Sequence, residues 1–205
     1  MGRSQHYLWQ MALTLHQGGL ITHVTQKVIQ QASDELRRLF SHEDMEGEWT
    51  VDEVLNVLSL FIAEEPNHCV WYDGERIYDD EDYAHLMQEY ADATVGEWIP
   101  EKLSSARSYE EGGKECDIID FDFRGIHFHW EFNASGSDWV DPAFLDLVEQ
   151  FSRTYLEGEF FEVPTHDQTA CFYYLPHRTV ANLIIIMEQI EQHFANFDAF
   201  VEALD

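Results

Sequence analysis

Positive charge is scarce in this sequence, whose 205 residues carry 11 Lys and Arg against 40 Asp and Glu, for a formal net charge of -29. Binding to phosphate backbones draws its affinity from Lys and Arg, so direct binding of nucleic acid is not expected. An acidic disordered segment would also need low hydrophobicity. Hydrophobic residues make up 45% of the chain and aromatic residues 14%, so the composition predicts a compact, aromatic-rich protein.

Cysteine and long apolar runs are scarce as well. Cys69, Cys116 and Cys171 are odd in number, far apart and outside any CxxC motif, which favours a reducing compartment over a disulfide framework. The longest apolar run, 183–187, is far too short to span a bilayer, and the N-terminal residues lack the apolar core of a signal peptide. We therefore expect a cytoplasmic protein that does not bind membranes.

The familiar catalytic motifs are missing. The sequence contains no Gly-rich phosphate loop, no HExxH, no GxSxG and no zinc ribbon. Cys171 follows His166 and Asp167 closely, but it lies in an apolar stretch where an inert buried thiol is expected. We therefore predict a protein that is not an enzyme and that needs no cofactor and no metal.

What the sequence does contain is hydrophobic periodicity, which predicts helices alternating with hairpins. Helices are expected in the first 40 residues (two, separated by Gly18-Gly19), after a capping box at 50–53, near 83–90, after Asp141-Pro142 and from Thr179. Hairpins are expected around Asp73-Gly74, around Arg124-Gly125 and over 159–175.

This order of elements predicts an α+β fold in which helices pack on a mainly antiparallel sheet built from hairpins. The length fits a single domain, which could divide into a helical N-terminal subdomain over 1–66 and an α+β part over 67–205. The polar residues near 101–115, with their Gly-Gly, predict a mobile loop.

The stretch 117–133 alternates apolar and polar residues on both sides of Arg124-Gly125. With these two residues as the turn, three apolar pairs fall on one side of the hairpin: Phe123 with Ile126, Phe121 with Phe128, and Ile119 with Trp130. The other side pairs Asp122 with His127 and Asp120 with His129, with Glu131 beside them. A slip of one residue would mix the two faces, so a single register is predicted.

The polar face of this hairpin allows more than one interpretation. Two histidines and a carboxylate can bind zinc or iron, and an Asp–His pair can act as an acid–base couple. Cross-strand charge pairs on a solvated sheet face give the same pattern. Because no further ligand set follows a known motif, His127 and His129 are assigned to hydrogen bonding with a partner.

Negative charge is concentrated between residues 41 and 100, which hold 17 acidic residues and one base, Arg76. The densest point is a run that we name the acidic tetrad: Asp79, Asp80, Glu81 and Asp82. One or two acids suffice to cap the helix that follows, so the tetrad exceeds that need. The candidate contacts for a basic partner are the tetrad and an earlier group of acids: Glu43, Asp44, Glu46 and Glu48.

Aromatic residues also lie within the acidic region, among them Trp71, Tyr72, Tyr78 and Tyr83. They are either core residues or exposed anchors, since Trp and Tyr are enriched at binding hot spots.

These features favour a non-enzymatic inhibitor that neutralises a basic protein, most simply an immunity protein or antitoxin that covers the active site of a toxin. The partner is expected to be basic, either toxin-like or an enzyme that handles nucleic acid. Two alternatives stay open: a DNA mimic that sequesters DNA-binding proteins, and a metal-dependent enzyme that uses the face formed by Asp120, Asp122, His127 and His129.

Overall fold

The computed structural model describes residues 2–40, 68–109, 115–134, 137–163, 165, 168–195 and 197–204. The helices are α1 (Arg3–Gln17), α2 (Gln26–Phe40), α3 (Asp82–Ala93), α4 (Pro142–Tyr155), α5 (His177–His193) and α6 (Phe197–Glu202). The strands are β1 (Cys69–Asp73), β2 (Glu101–Tyr109), β3 (Glu115–Phe123), β4 (Ile126–Asn133), β5 (Gly158–Val163) and β6 (Thr169–Pro176). The helix predicted after the capping box lies outside the described residues.

The predicted α+β fold is confirmed. Helices accompany two antiparallel three-stranded sheets, with strand orders β2-β3-β4 and β1-β6-β5. The chain forms two compact units, one of Met1–Pro66 with Leu175–Asp205 and one of Asn67–Tyr174. The sequence placed 67–205 in one α+β part, whereas α5 and α6 belong to the same unit as α1 and α2.

The helical unit is built on the apolar stripe of α1. Leu8, Met11 and Ala12 are fully buried, as their spacing predicts. Gly18 follows α1 at its C-cap, where a Cβ would lie 2.7 Å from the Thr179 hydroxyl of α5, so this glycine permits the close approach of the two helices. Of the helices that the structure describes, none is long and apolar enough to cross a membrane.

The end of the last predicted helix differs from the expectation. We expected the helix beginning near Thr179 to continue through Phe197 and Phe200, but α5 ends at His193. Phe194 caps it in an extended conformation, and α6 is a separate short helix. The break lets both Phe194 and Phe200 reach the core, where their rings lie 5.1 Å apart edge to face.

The other unit has at its centre the hairpin of β3 and β4, and the predicted register is confirmed at every pair. Phe121 opposes Phe128, and Asp120 opposes His129. Arg124 and Gly125 form the turn with φ of 51° and 78°, so both adopt the left-handed conformation that a two-residue turn requires. The right-handed twist of the strands favours such a two-residue turn.

The loop predicted near 101–115 is wrong for Glu101–Tyr109, which form β2 and pair with β3. Residues 110–114 lie outside the described residues. The apolar pattern of this segment is weak because β2 is an edge strand, with exposed small or polar residues on one side. Its hydrogen bonds come from β3, which therefore has a partner on each side.

The hairpin predicted around Asp73-Gly74 is also wrong. β1 pairs with β6, over a register from Cys69 opposite Tyr173 to Asp73 opposite Thr169, and not with residues 76–78. Gly74 serves another purpose, because a Cβ there would lie 2.8 Å from both the Trp139 ring and the Gln168 carbonyl oxygen. The Asp73-Gly74 sequence is typical of a hairpin turn, but β1 instead pairs over five residues with a strand that is distant in sequence.

Aromatic rings fill the core between the hairpin and the helices. Phe151 of α4 lies 4.6 Å from the Trp98 ring and 5.5 Å from the Phe121 ring, while Tyr83 of α3 meets Phe132 edge to face at 5.0 Å. Such pairs add about 0.5–1.5 kcal/mol each to the free energy of area burial. Both helices thus pack on the same apolar face of the sheet β2-β3-β4, and its other face is left to solvent.

The positive φ of Arg124 can be tested with two substitutions. Both Arg124→Asn and Arg124→Ala lose the contact of the guanidinium with the Phe123 ring and its hydrogen bond to the Tyr155 carbonyl. Asn tolerates a positive φ better than Ala does, so we expect the Asn variant to be more stable by about 0.5–1 kcal/mol in urea denaturation. Equal stability of the two variants would contradict the turn conformation.

Candidate functional site

The solvent face of the sheet β2-β3-β4 carries a polar array that we name the outer sheet face: Lys102, Ser104, Asp120, Asp122, His127, His129 and Glu131. Alternation along the strands produces it, because Ile119, Phe121 and Phe123 point to the opposite side and are buried. The structure therefore brings together the five hairpin residues singled out in the sequence.

Two histidine–carboxylate pairs lie side by side on this face. His127 Nδ1 is 2.9 Å from an Asp122 carboxylate oxygen, and His129 Nδ1 is 2.8 Å from an Asp120 oxygen. The Asp120 oxygen also lies 3.4 Å from His127 Nε2, which links the two pairs. With Nδ1 donating to a carboxylate, each imidazole presents its Nε2 toward its neighbours and solvent.

Sequence reasoning missed Lys102, which comes from the strand that was predicted to be a loop. Lys102 has a φ of 53° at a bulge between Glu101 and Ser104, and its ammonium lies 2.5 Å from Asp122. The hydrogen bonds from Lys102 and His127 lower the pKa of Asp122, and the same ion pair raises the pKa of Lys102. No periodicity in the sequence indicates a bulge at this position.

The pKa of His129 is raised, first by its hydrogen bond to Asp120 and then by the negative charges of Asp120 and Glu131. A raised pKa in the folded state means that this pair stabilises the protein fully below the ordinary histidine value of 6.5 and loses that effect as the pH rises through the raised value. The side chain is half exposed, so the contribution is a fraction of about 1 kcal/mol.

The metal alternative would use these same side chains of the outer sheet face. Within the part of the chain that the structure describes, no group of three or more His, Cys, Asp and Glu side chains is placed to hold a metal ion. His127 and His129 direct Nδ1 at aspartates, and His129 Nε2 lies 3.8 Å from Glu131. The outer sheet face instead offers hydrogen-bond donors and acceptors to a partner.

The acidic tetrad forms the turn that leads into α3. Asp82 accepts hydrogen bonds from the backbone amides of Tyr78 (2.6 Å) and Asp79 (2.9 Å), and Asp79 accepts one from the Glu81 amide (2.9 Å). The carbonyl oxygen of Asp80 accepts a hydrogen bond from the Ser105 hydroxyl of β2. Two of the four carboxylates therefore hold the turn, and Asp79, Asp80 and Glu81 remain exposed.

The aromatic residues of this region divide into core residues and exposed ones. Tyr72 and Tyr83 are buried, and burial raises the pKa of each to about 12. Trp71 is 60% exposed and Tyr78 is 71% exposed. Tyr78 adjoins the tetrad directly in sequence, so the exposed aromatic ring and the exposed acids belong to one stretch of surface.

The tetrad and the outer sheet face do not form one surface. Ser105, which bonds to Asp80, opposes Ile119 in the pairing of β2 with β3 and therefore lies on the helix-covered side of the sheet. Asp120 and His129 point to the other side. The earlier acidic candidates Glu43, Asp44, Glu46 and Glu48 lie outside the described residues, and their assignment stays a prediction.

Comparison with protein-family models, with curated proteins and with solved structures finds no match to this chain.

The pairing of His129 with Asp120 can be measured by NMR titration of the histidine ring protons. Asp120→Asn removes the charge and the strong hydrogen bond, so we expect the pKa of His129 to fall toward 6.5. Asp122→Asn is the matched control, because Asp122 bonds to His127, and it should leave the pKa of His129 raised. An unchanged His129 titration in the Asp120→Asn variant would refute the assignment.

Proposed function

We propose that this chain is a non-enzymatic acidic binding protein that neutralises a basic partner protein. The class that fits best is an immunity protein or antitoxin that covers the active site of a toxin, acting in the cytoplasm as the cysteine pattern predicts. The observation that carries the proposal is the acidic tetrad, whose exposed carboxylates adjoin the exposed ring of Tyr78.

Basic residues of this unit are already committed to its own acids. Three such pairs are Arg76 with Glu89 at 2.7 Å, Lys102 with Asp122 at 2.5 Å, and Arg107 with Asp117 at 2.8 Å. Among the described residues, no Lys, Arg or His forms an ion pair with any member of the tetrad. Arg76 and Arg107 interact electrostatically with Asp82 and Asp80, but their ion pairs are with Glu89 and Asp117. The exposed carboxylates of the tetrad can therefore still contact the lysines and arginines of another protein.

The tetrad is held in place before any partner arrives. The carboxylates of Asp79 and Asp82 fix the turn through backbone amides, and Ser105 ties the turn to β2. Association costs free energy when loops and side chains must be ordered, so a fixed turn reduces that cost. The same arrangement concentrates negative potential, which accelerates encounter with a basic surface and disfavours acidic competitors.

Tyr78 supplies the apolar contact that charge alone lacks. Its ring is exposed, while its hydroxyl donates a hydrogen bond to the Glu75 carbonyl and limits the motion of the side chain. Tyrosine at the centre of an interface is a frequent source of binding energy. We therefore assign Tyr78 to the centre of the contact and Asp79, Asp80 and Glu81 to its rim.

The test begins with capture of the partner from host lysate by the immobilised chain, followed by kinetics with the purified partner. We expect a basic protein whose association rate constant falls at least about tenfold between about 0.05 M and 0.5 M NaCl. The triple variant Asp79→Asn, Asp80→Asn and Glu81→Gln should slow association to a similar extent, since it removes three rim charges.

A charge-matched control separates the tetrad from the overall negative charge. Glu188→Gln, Glu191→Gln and Glu202→Gln change the net charge equally on exposed positions of the helical unit and should leave the association rate within about twofold of wild type. Equal loss in both triple variants, or a rate indifferent to salt, would refute the proposal. Displacement of several unrelated partners by double-stranded DNA would instead identify a DNA mimic.

A further inference from the structure

Pairing of β1 with β6 brings together two cysteines that the sequence separates widely. Cys69 opposes Tyr173 and Cys171 opposes Trp71, so the two cysteines occupy diagonal positions on the same face of the strand pair. Their sulfur atoms lie 3.8 Å apart. The sequence predicts no disulfide framework, and no motif spacing indicates this contact.

The two thiols differ in exposure and acidity. Cys69 is partly exposed and Cys171 is buried. The hydrogen bond from the Cys171 thiol, helped by one from Tyr173, lowers the pKa of Cys69 despite its partial burial. The interaction with Cys69 and burial raise the pKa of Cys171. Cys69 is therefore the more acidic and the more accessible of the two thiols, and it is the one expected to react first with an oxidant.

We propose that Cys69 and Cys171 are a peroxide-sensitive thiol pair, in which Cys69 reacts first and Cys171 closes an intramolecular disulfide. The Cys69 thiolate attacks one oxygen of hydrogen peroxide, the O–O bond breaks, and the departing hydroxide takes up a proton to become water. Cys69 is then a sulfenic acid. The Cys171 sulfur attacks the Cys69 sulfur, the S–O bond breaks, and the thiol proton leaves with the second water.

Oxidation of Cys69 makes the attack by Cys171 easier. The hydrogen bond with Cys69, burial and the negative charge of a Cys69 thiolate all raise the pKa of Cys171. A Cys69 sulfenic acid is neutral, so the contribution of that charge disappears once Cys69 is oxidised. The order of reaction follows from the exposure of the two sulfur atoms. The partly exposed Cys69 sulfur meets the oxidant first, and the buried Cys171 sulfur already lies beside the Cys69 sulfur.

The geometry favours a reversible bond over a permanent one. The sulfur atoms must approach from 3.8 Å to about 2.05 Å. Diagonal positions on antiparallel strands have Cα atoms about 7–8 Å apart, at or beyond the upper limit for an unstrained disulfide. Forming the bond must therefore draw the strands together, and strained disulfides are the ones that small thiols reduce easily.

The test uses the full chain in its reduced form, treated with hydrogen peroxide under native conditions and digested without reductant. We expect one cross-linked peptide pair, joining Cys69 to Cys171, and recovery of both thiols with dithiothreitol. The variant Cys116→Ser should form the same cross-link at the wild-type rate, because Cys116 belongs to the other sheet. In Cys171→Ser, Cys69 should accumulate as a sulfenic acid that dimedone traps.

Two results would overturn the proposal, and the first requires no variant. Wild-type protein that loses thiols without a Cys69–Cys171 cross-link, or that links either residue to Cys116, would show that the contact does not direct the chemistry. Labelling of Cys171 ahead of Cys69 by a small alkylating reagent would show that the assigned order of reactivity is wrong.

Discussion

Pairing of β3 with β4 in a single register determines which side chains meet the core and which meet solvent. One side of the pair presents Phe121 and Trp130 to the rings of α4, and the other presents Asp120 and His129 to water. A shift by one residue would bury the aspartates and expose the phenylalanines. The aromatic core of this unit and the outer sheet face thus depend on the same set of backbone hydrogen bonds.

Several of the few basic residues form ion pairs that connect different parts of the fold. Arg76, Lys102 and Arg107 join separate elements by binding acids across α3, β2 and β3. The positions of these few cations therefore determine which acidic side chains are paired and which remain exposed without an ion-pair partner among them. Asp79 and Asp82 of the tetrad accept hydrogen bonds from backbone amides, which satisfy some of their oxygens without neutralising their charge. This imbalance is the physical basis of the proposed function.

Local patterns in the sequence predicted those elements that local physics determines. The helix of Tyr83, Leu86 and Tyr90 follows from periodicity, and the cap of α4 follows from Asp141, whose side chain accepts a hydrogen bond from the Ala143 amide. The β3-β4 hairpin was predictable because its turn is two residues long and because one of its faces is apolar while the other is polar. In each case the relevant partners lie within a few residues of one another.

Pairings between distant segments were not predictable in the same way. β1 had a plausible neighbour just beyond Gly74, yet it pairs with β6, which lies about a hundred residues later in the chain. β2 has almost no apolar alternation, because its stability comes from β3. The contact between Cys69 and Cys171, and the position of Lys102 in the outer sheet face, depend on these pairings and were missed with them.

The bulge at Lys102 also changes the backbone that one edge of the sheet presents. β2 and β4 are the outer strands of their sheet, and an outer strand with free backbone groups can recruit a further strand. A bulge bends the first part of β2 and interrupts its regular backbone hydrogen-bonding pattern, which makes that edge a poor template for a further strand.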